Sequence, residues 1–70
     1  MRQSFLDSLV GIPVKDAIMV VGEHEFKAFV VPEDCNAITQ QARPKTVILW
    51  QENGRVRIAE AGDPLELERE

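Results

Sequence analysis

The sequence predicts an α+β fold in which one short helix packs on a small twisted mixed sheet and a long loop stays exposed. A helix-like segment from Pro13 to Gly22 comes before all the strand-like segments. Three runs rich in β-branched and aromatic residues follow it, and a helix followed by consecutive strands indicates a single helix on one face of a sheet. The first two runs are separated by a long connection, which permits parallel pairing, and the last two by a tight turn, which requires antiparallel pairing.

The helix is predicted from its ends and its periodicity. Proline is favoured at the first helical position and glycine just after the last, which matches Pro13 and Gly22. Apolar residues recur between them with the spacing i, i+3, i+4, i+7, so we expect one buried stripe, formed by Val14, Ala17, Ile18 and Val21. Residues 1–11 are expected to be a lead-in anchored by Phe5, Leu9 and Val10.

The strands are predicted at residues 26–31, 46–51 and 55–59. Pro32 ends the first strand. Asn53-Gly54 between the second and third strands is typical of a two-residue hairpin, because both residues tolerate positive φ. The third strand alternates apolar and polar residues with period two. Trp50 near the end of the second strand is expected in the core, with an exposed interface anchor as the alternative.

Seventy residues make one domain, and 44% of them are hydrophobic, enough for a single core. We assign residues 1–62 to this domain and residues 63–70 to an acidic C-terminal tail expected to be frayed. Leu65 and Leu67 alternate with glutamates, so a short edge strand is the alternative for this segment.

Charge and composition exclude several function classes. The net charge is −4 and the basic residues are scattered, so the basic stripe typical of nucleic-acid binding is missing. No apolar run approaches the roughly 20 residues that span a bilayer, and no signal-peptide core follows the N-terminus, so we expect no membrane partner and a cytoplasmic location. A single cysteine is consistent with that compartment.

Residues with catalytic or ligating chemistry are isolated from one another. His24 is the only histidine and lies between two glutamates, so a polar turn is expected rather than a metal site. Cys35 has no base near it in sequence and is expected to be a free thiol in a loop. The carboxylates fall in turns and in the tail, where paired acid–base chemistry is not expected. The sequence therefore predicts no enzyme, no metal and no cofactor.

The connection at residues 32–45 is the strongest functional signal. At about 14 residues it is longer than most connections, and loops of that length are usually functional or disordered. It contains two prolines, few large apolar residues and no helical stripe. We interpret it as a binding loop, the alternative being a merely flexible connection.

Several short motifs, in order, resemble the potato type I serine-protease inhibitors. The shared segments are Leu9-Val10-Gly11, Val14, Ala17, Val30-Val31-Pro32, Ile38-Thr39, Arg43-Pro44, the run from Val47 to Trp50, Asn53-Gly54-Arg55-Val56 and Gly62. The spacing from Thr39 to Arg43-Pro44 is most similar to the bacterial peptidase inhibitors related to that family. Thr46 and Ile48 stand where the plant family has two arginines that support its loop.

The resemblance implies a serine-peptidase inhibitor that acts through an extended loop. It implies that Thr39 precedes the scissile-bond residue, that Gln40 enters the specificity pocket and that Gln41 lies on the leaving-group side. The partner-binding residues expected on this basis are Ile38, Thr39, Gln40, Gln41, Ala42 and Arg43. The alternative is a non-inhibitory adaptor or regulator, a monomer or homodimer, that binds a protein through the same loop or a sheet edge.

Overall fold

The computed structural model describes residues 1–35, 37–38 and 41–68. It has the predicted α+β architecture, with helices on one side of a three-stranded mixed sheet. In chain order the elements are α1 (Gln3–Leu9), α2 (Val14–Glu23), β1 (Lys27–Val31), β2 (Thr46–Glu52), β3 (Arg55–Ala61) and a 3-10 helix (Pro64–Glu66).

The sheet has the strand order β1-β2-β3. β1 and β2 are parallel, from Lys27 beside Thr46 to Val31 beside Trp50, so the long connection does join parallel strands. β2 and β3 are antiparallel and are joined by the Asn53-Gly54 turn, whose φ angles of 54° and 76° are both positive. These values are typical of the tight hairpin that the sequence predicts.

Helix α2 confirms the predicted helix but not its ends or all of its buried stripe. Pro13 is the N-cap residue rather than the first helical residue, and Gly22 lies inside the last turn rather than just after it. Ala17 and Val21 are fully buried and Val14 is half-buried, whereas Ile18 is 42% exposed. The expectation that Ile18 belongs to the core is therefore wrong. The small side chain of Ala17 lies at the centre of the contact, and the half-buried Val20 occupies the other flank of the stripe.

The lead-in expected at residues 1–11 contains a helix that the sequence did not predict, α1. Leu6 and Leu9 are almost completely buried, while Val10 is 47% exposed and is not an anchor. The sequence carries no start signal for this helix, because its N-cap residue is Arg2 and no side chain caps it. A seven-residue helix is unstable alone, so α1 depends on burying its leucines against the sheet.

A β-bulge changes the pattern expected for β3. Trp50 pairs with Ile58 and the next residue, Gln51, pairs with Val56, which leaves Arg57 as an extra residue. Val56 and Ala59 are therefore the buried residues, and Ile58 is 40% exposed, so strict period-two alternation does not hold.

Residues 63–68 are ordered against the N-terminus rather than frayed. The Asp63 carboxylate accepts a hydrogen bond from Leu65 N at 3.0 Å and begins the 3-10 helix. The N-terminal ammonium donates to Glu66 O at 2.8 Å, and Glu68 N donates to Met1 O at 2.6 Å. Leu65 itself is 93% exposed. Residues 69 and 70 of the predicted tail lie outside the described residues.

Two faces of the sheet differ in what covers them. The helices cover one face, and the main core lies there, formed by Leu6, Leu9, Ala17, Val21, Val47, Leu49, Val56 and Ala59. Because side chains alternate along a strand, the opposite face carries Phe29, Val31, Ile48, Trp50, Ile58 and Glu60. We call this second surface the outer face.

Candidate protein-binding loop

The parallel pairing of β1 and β2 determines the path of the long loop, residues 32–45. The loop leaves the end of β1 at Val31 but must return to the start of β2 at Thr46, which lies beside Lys27. It therefore travels back over the length of a five-residue strand, about 16 Å. Val31 is fully buried and Ile48 is 5% exposed, although both lie on the outer face, away from the helices.

The departing end of the loop is hydrogen-bonded to the β2–β3 hairpin. Gln51 Nε2 donates to Val31 O at 3.1 Å. Asn53 N donates to the Glu33 carboxylate at 2.6 Å. A turn follows, in which Cys35 N donates to Pro32 O at 3.0 Å. Val31 and Glu33 are thus hydrogen-bonded to residues 20 positions later in the chain, Gln51 and Asn53.

Arg43 anchors the returning end of the loop. Its backbone N–H donates to Gly62 O at 3.0 Å. Its guanidinium lies over the Phe29 ring, 4.6 Å from the ring centre, in a cation–π contact with the outer face. Its Nη1 also donates to Gln41 O at 3.3 Å. One side chain therefore connects the loop backbone to the sheet.

Gly62 fits against this anchor because it lacks a side chain. A Cβ at this position would lie 2.5 Å from Arg43 O and 3.0 Å from Thr46 O. Gly62 N also donates to Thr46 O at 2.8 Å. The residue after β3 therefore bridges the end of the loop and the start of β2.

Lys45, the last residue of the loop, is held from two sides. Its N–H donates to the Glu66 carboxylate, with N–O distances of 2.9 and 3.2 Å. Its carbonyl accepts a hydrogen bond from Lys27 N at 2.7 Å. Its φ is 54°, a left-handed conformation that is uncommon outside glycine. The returning end of the loop is therefore hydrogen-bonded to two residues near the C-terminus, Gly62 and Glu66.

A groove of about 420 Å³ lies between the loop and the outer face. Ala37, Ile38 and Gln41 line it from the loop, and Ile48, Trp50 and Glu60 line it from the sheet. Trp50 is half-buried, so it is neither a fully buried core residue nor a fully exposed interface anchor. Its Nε1 is buried and has no hydrogen-bond acceptor within the part of the chain that the structure describes.

The structure places four of the six predicted partner-binding residues. Ile38 and Arg43 are half-buried, and Gln41 and Ala42 are exposed. Thr39 and Gln40 lie outside the described residues. Sequence reasoning missed Glu33, Gly62 and Glu66 as residues that hold the loop, since each acts on a residue far away in sequence and has no local motif.

His24 and Cys35, the two isolated reactive residues, make local contacts. His24 is exposed in a turn, and its ring lies 4.5 Å from that of Phe5. Cys35 is a free, half-buried thiol whose Sγ donates to Ala37 O at 2.9 Å. Across residues 1–35, 37–38 and 41–68, no three His, Cys, Asp or Glu side chains are grouped as a metal site. No described helix has the length and apolar character needed to cross a membrane.

Comparison with known proteins found no relative of this chain. The chain matches no protein-family model, no curated protein and no solved structure.

Proposed function

We propose that this chain is a small protein-binding domain that inhibits a serine peptidase by presenting residues 38–43 as an extended, substrate-like segment. The observation that carries the proposal is the anchoring of the loop at both ends. Glu33 binds the hairpin at one end, and Arg43 binds Gly62 and Phe29 at the other. The motif resemblance supports the choice of a serine peptidase as the partner.

Preorganisation of the loop is the physical reason to expect inhibition. A peptidase binds its substrate in an extended form, and a flexible segment loses conformational entropy when it is ordered on the enzyme. A loop whose ends are already fixed loses less, so more of the contact energy contributes to affinity. Fixed ends also keep the two sides of a cut bond close together, which opposes product release.

Arg43 is proposed to take the supporting role of the two arginines whose family positions hold Thr46 and Ile48. Arg55 does not serve this role, because its Nη1 donates to Gly11 O at 2.9 Å, next to the hairpin. Arg43 is itself a loop residue, and its cation–π contact reaches the outer face. In this chain the supporting arginine would thus lie in the loop and extend to the sheet, rather than lie on the strand that follows the loop.

The proposal assigns no catalytic residue, metal or cofactor to the chain. Its partner is a protein, not nucleic acid or a membrane. A cytoplasmic location belongs to the same proposal and is supported by the unpaired thiol of Cys35.

The test incubates the protein with a panel of serine peptidases and follows enzyme activity and chain integrity together. Inhibition with an intact chain is the expected result. Arg43→Ala should weaken inhibition and speed cleavage within the loop. Lys15→Ala is the control, since Lys15 is an exposed cation on α2, on the helical side of the sheet. Rapid cleavage of the wild-type loop, or no interaction across the panel, would reject the inhibitor proposal and favour a non-inhibitory adaptor.

A further inference from the structure

Strand β1 forms one edge of the sheet. In the described sheet its only neighbour is β2. Lys27 is exposed, and the next three residues, Ala28, Phe29 and Val30, are half-buried and apolar. An edge strand of this composition is a template for pairing with another strand.

The hydrogen bonds of β1 define which backbone groups face outward. Lys27 N donates to Lys45 O, the residue before β2, so the backbone groups of Lys27 face β2. Backbone groups alternate in direction along a strand, so those of Phe29 and Val31 also face β2. The N–H and C=O groups of Ala28 and Val30 therefore face away from the sheet.

We call the outward-facing backbone groups of Ala28 and Val30 the window. The residues on either side of the window have no free N–H to offer a new strand. Phe26 N already donates to Val21 O at the end of α2, at 3.1 Å. Pro32 has no N–H, and its carbonyl accepts from Cys35 N. Ala28 and Val30 are left as the two residues that can exchange hydrogen bonds with a new strand.

We propose that a second copy of this chain adds to β1 in antiparallel orientation, with a two-fold axis at Phe29. In this register Ala28 of each copy faces Val30 of the other. A facing pair of this type exchanges two hydrogen bonds, and the two-fold axis repeats the pair. All outward N–H and C=O groups of the window are then used, and the two sheets become one sheet of six strands.

The other two-fold registers are worse. With the axis at Ala28, Val30 would face Phe26, whose N–H is already bonded to Val21 O. With the axis at Val30, Ala28 would face Pro32, which has no N–H to give. The window is therefore complementary to itself in a single register, which favours a second copy over an unrelated strand. This inference goes beyond the proposed inhibition and does not require it. The two proposals share one residue, Phe29, whose ring also contacts Arg43 of the loop.

Phe29 provides a further contact at the axis. The residues on the axis form a non-hydrogen-bonded pair, in which Cα atoms are about 4.5 Å apart and side chains are close. The two Phe29 rings, one from each copy on the outer face, would meet there, each with the Arg43 guanidinium of its own chain over it. Aromatic pairs add to the stability of such strand pairs.

The first experiment measures mass by sedimentation over a dilution series up to about 1 mM protein, a range that detects weak dimers. We expect a concentration-dependent dimer. Ala28→Pro removes one outward N–H and no hydrogen bond within the monomer, and should raise the dimer Kd at least about tenfold. Ala28→Ser retains the N–H and is the matched control. A monomer over the whole range would overturn the proposal, and so would a dimer that Ala28→Pro leaves unchanged.

The second experiment tests the register without relying on the proline variant. In a Cys35→Ser background, Phe29→Cys should form an intermolecular disulfide on mild oxidation, because residues at the axis have the Cα separation that a disulfide needs. Ile58→Cys, an exposed position on β3, is the control and should stay largely monomeric. Equal cross-linking of the two variants would reject the β1 interface.

Discussion

The backbone N–H of Arg43 donates a 3.0 Å hydrogen bond to the carbonyl of Gly62, and a Cβ on Gly62 would lie 2.5 Å from Arg43 O. The end of the long loop and the end of β3 thus pack backbone against backbone. This contact explains why a glycine follows β3, and it connects the stability of the fold to the position of the loop.

Gly62→Ala is expected to destabilise the protein by about 1–3 kcal/mol, because the added methyl group displaces backbone rather than a flexible side chain. The measurement is the free energy of unfolding from denaturant melts. Gly22→Ala is the control: Gly22 lies inside α2, and no described atom outside the neighbouring backbone of that helix lies within 4 Å of its Cβ position. That change should stabilise by up to about 1 kcal/mol. Equal effects of the two variants would contradict the packing described for Gly62.

Ile18→Ala is expected to cost less than about 1 kcal/mol, since the side chain is 42% exposed and its removal leaves little cavity. Val21→Ala should cost more, about 1.5–3 kcal/mol, because Val21 is fully buried in the same helix. Denaturant melts of both variants decide the order. A larger loss for Ile18→Ala would restore the stripe expected from periodicity.

Leu6→Ala is expected to cost about 2–5 kcal/mol, the usual range for a large-to-small change in a core. In a 70-residue domain such a loss can prevent folding. Leu65→Ala is the matched control, because Leu65 is 93% exposed, and it should leave stability unchanged. If Leu6→Ala is equally harmless, then α1 does not pack on the sheet as described.

Cys35 is expected to react with a thiol reagent in the folded protein, since it is only half-buried and lies in the long loop. The measurement is the number of labelled thiols per chain by mass spectrometry without denaturant, with Cys35→Ser as the blank. Labelling that begins only after denaturation would mean that the loop encloses the thiol.

Gln40→Leu or Gln40→Met is expected to improve inhibition of a chymotrypsin- or subtilisin-like peptidase about tenfold, or 1.4 kcal/mol. The resemblance places residue 40 in the specificity pocket, and an apolar side chain suits an apolar pocket better than glutamine does. Inhibition constants for wild type and both variants measure the effect. Unchanged constants would show that residue 40 does not enter the pocket.

The sequence alone predicts the hairpin turn, the start of α2 and the three strands, because the chemistry of neighbouring residues determines each of them. Asn53-Gly54 predicts the hairpin because both residue types tolerate positive φ. Pro13 predicts the start of α2 for a similar reason, since its fixed φ suits the beginning of a helix. The runs of β-branched residues predict three strands close to those observed.

Three features depend on contacts between residues far apart in sequence, and only the tertiary structure determines them: helix α1, the rotation of α2 on the sheet and the anchors of the loop. Helix α1 has no local start signal and forms because Leu6 and Leu9 find a buried site. Ile18 is exposed because periodicity defines a stripe on α2 but not how the helix is rotated on the sheet. The anchors of the loop, from Glu33 to Asn53 and from Arg43 to Gly62, join residues about 20 positions apart. Hydrogen bonds of this kind exist only once the strands have brought both ends together, so no local pattern in the sequence could reveal them.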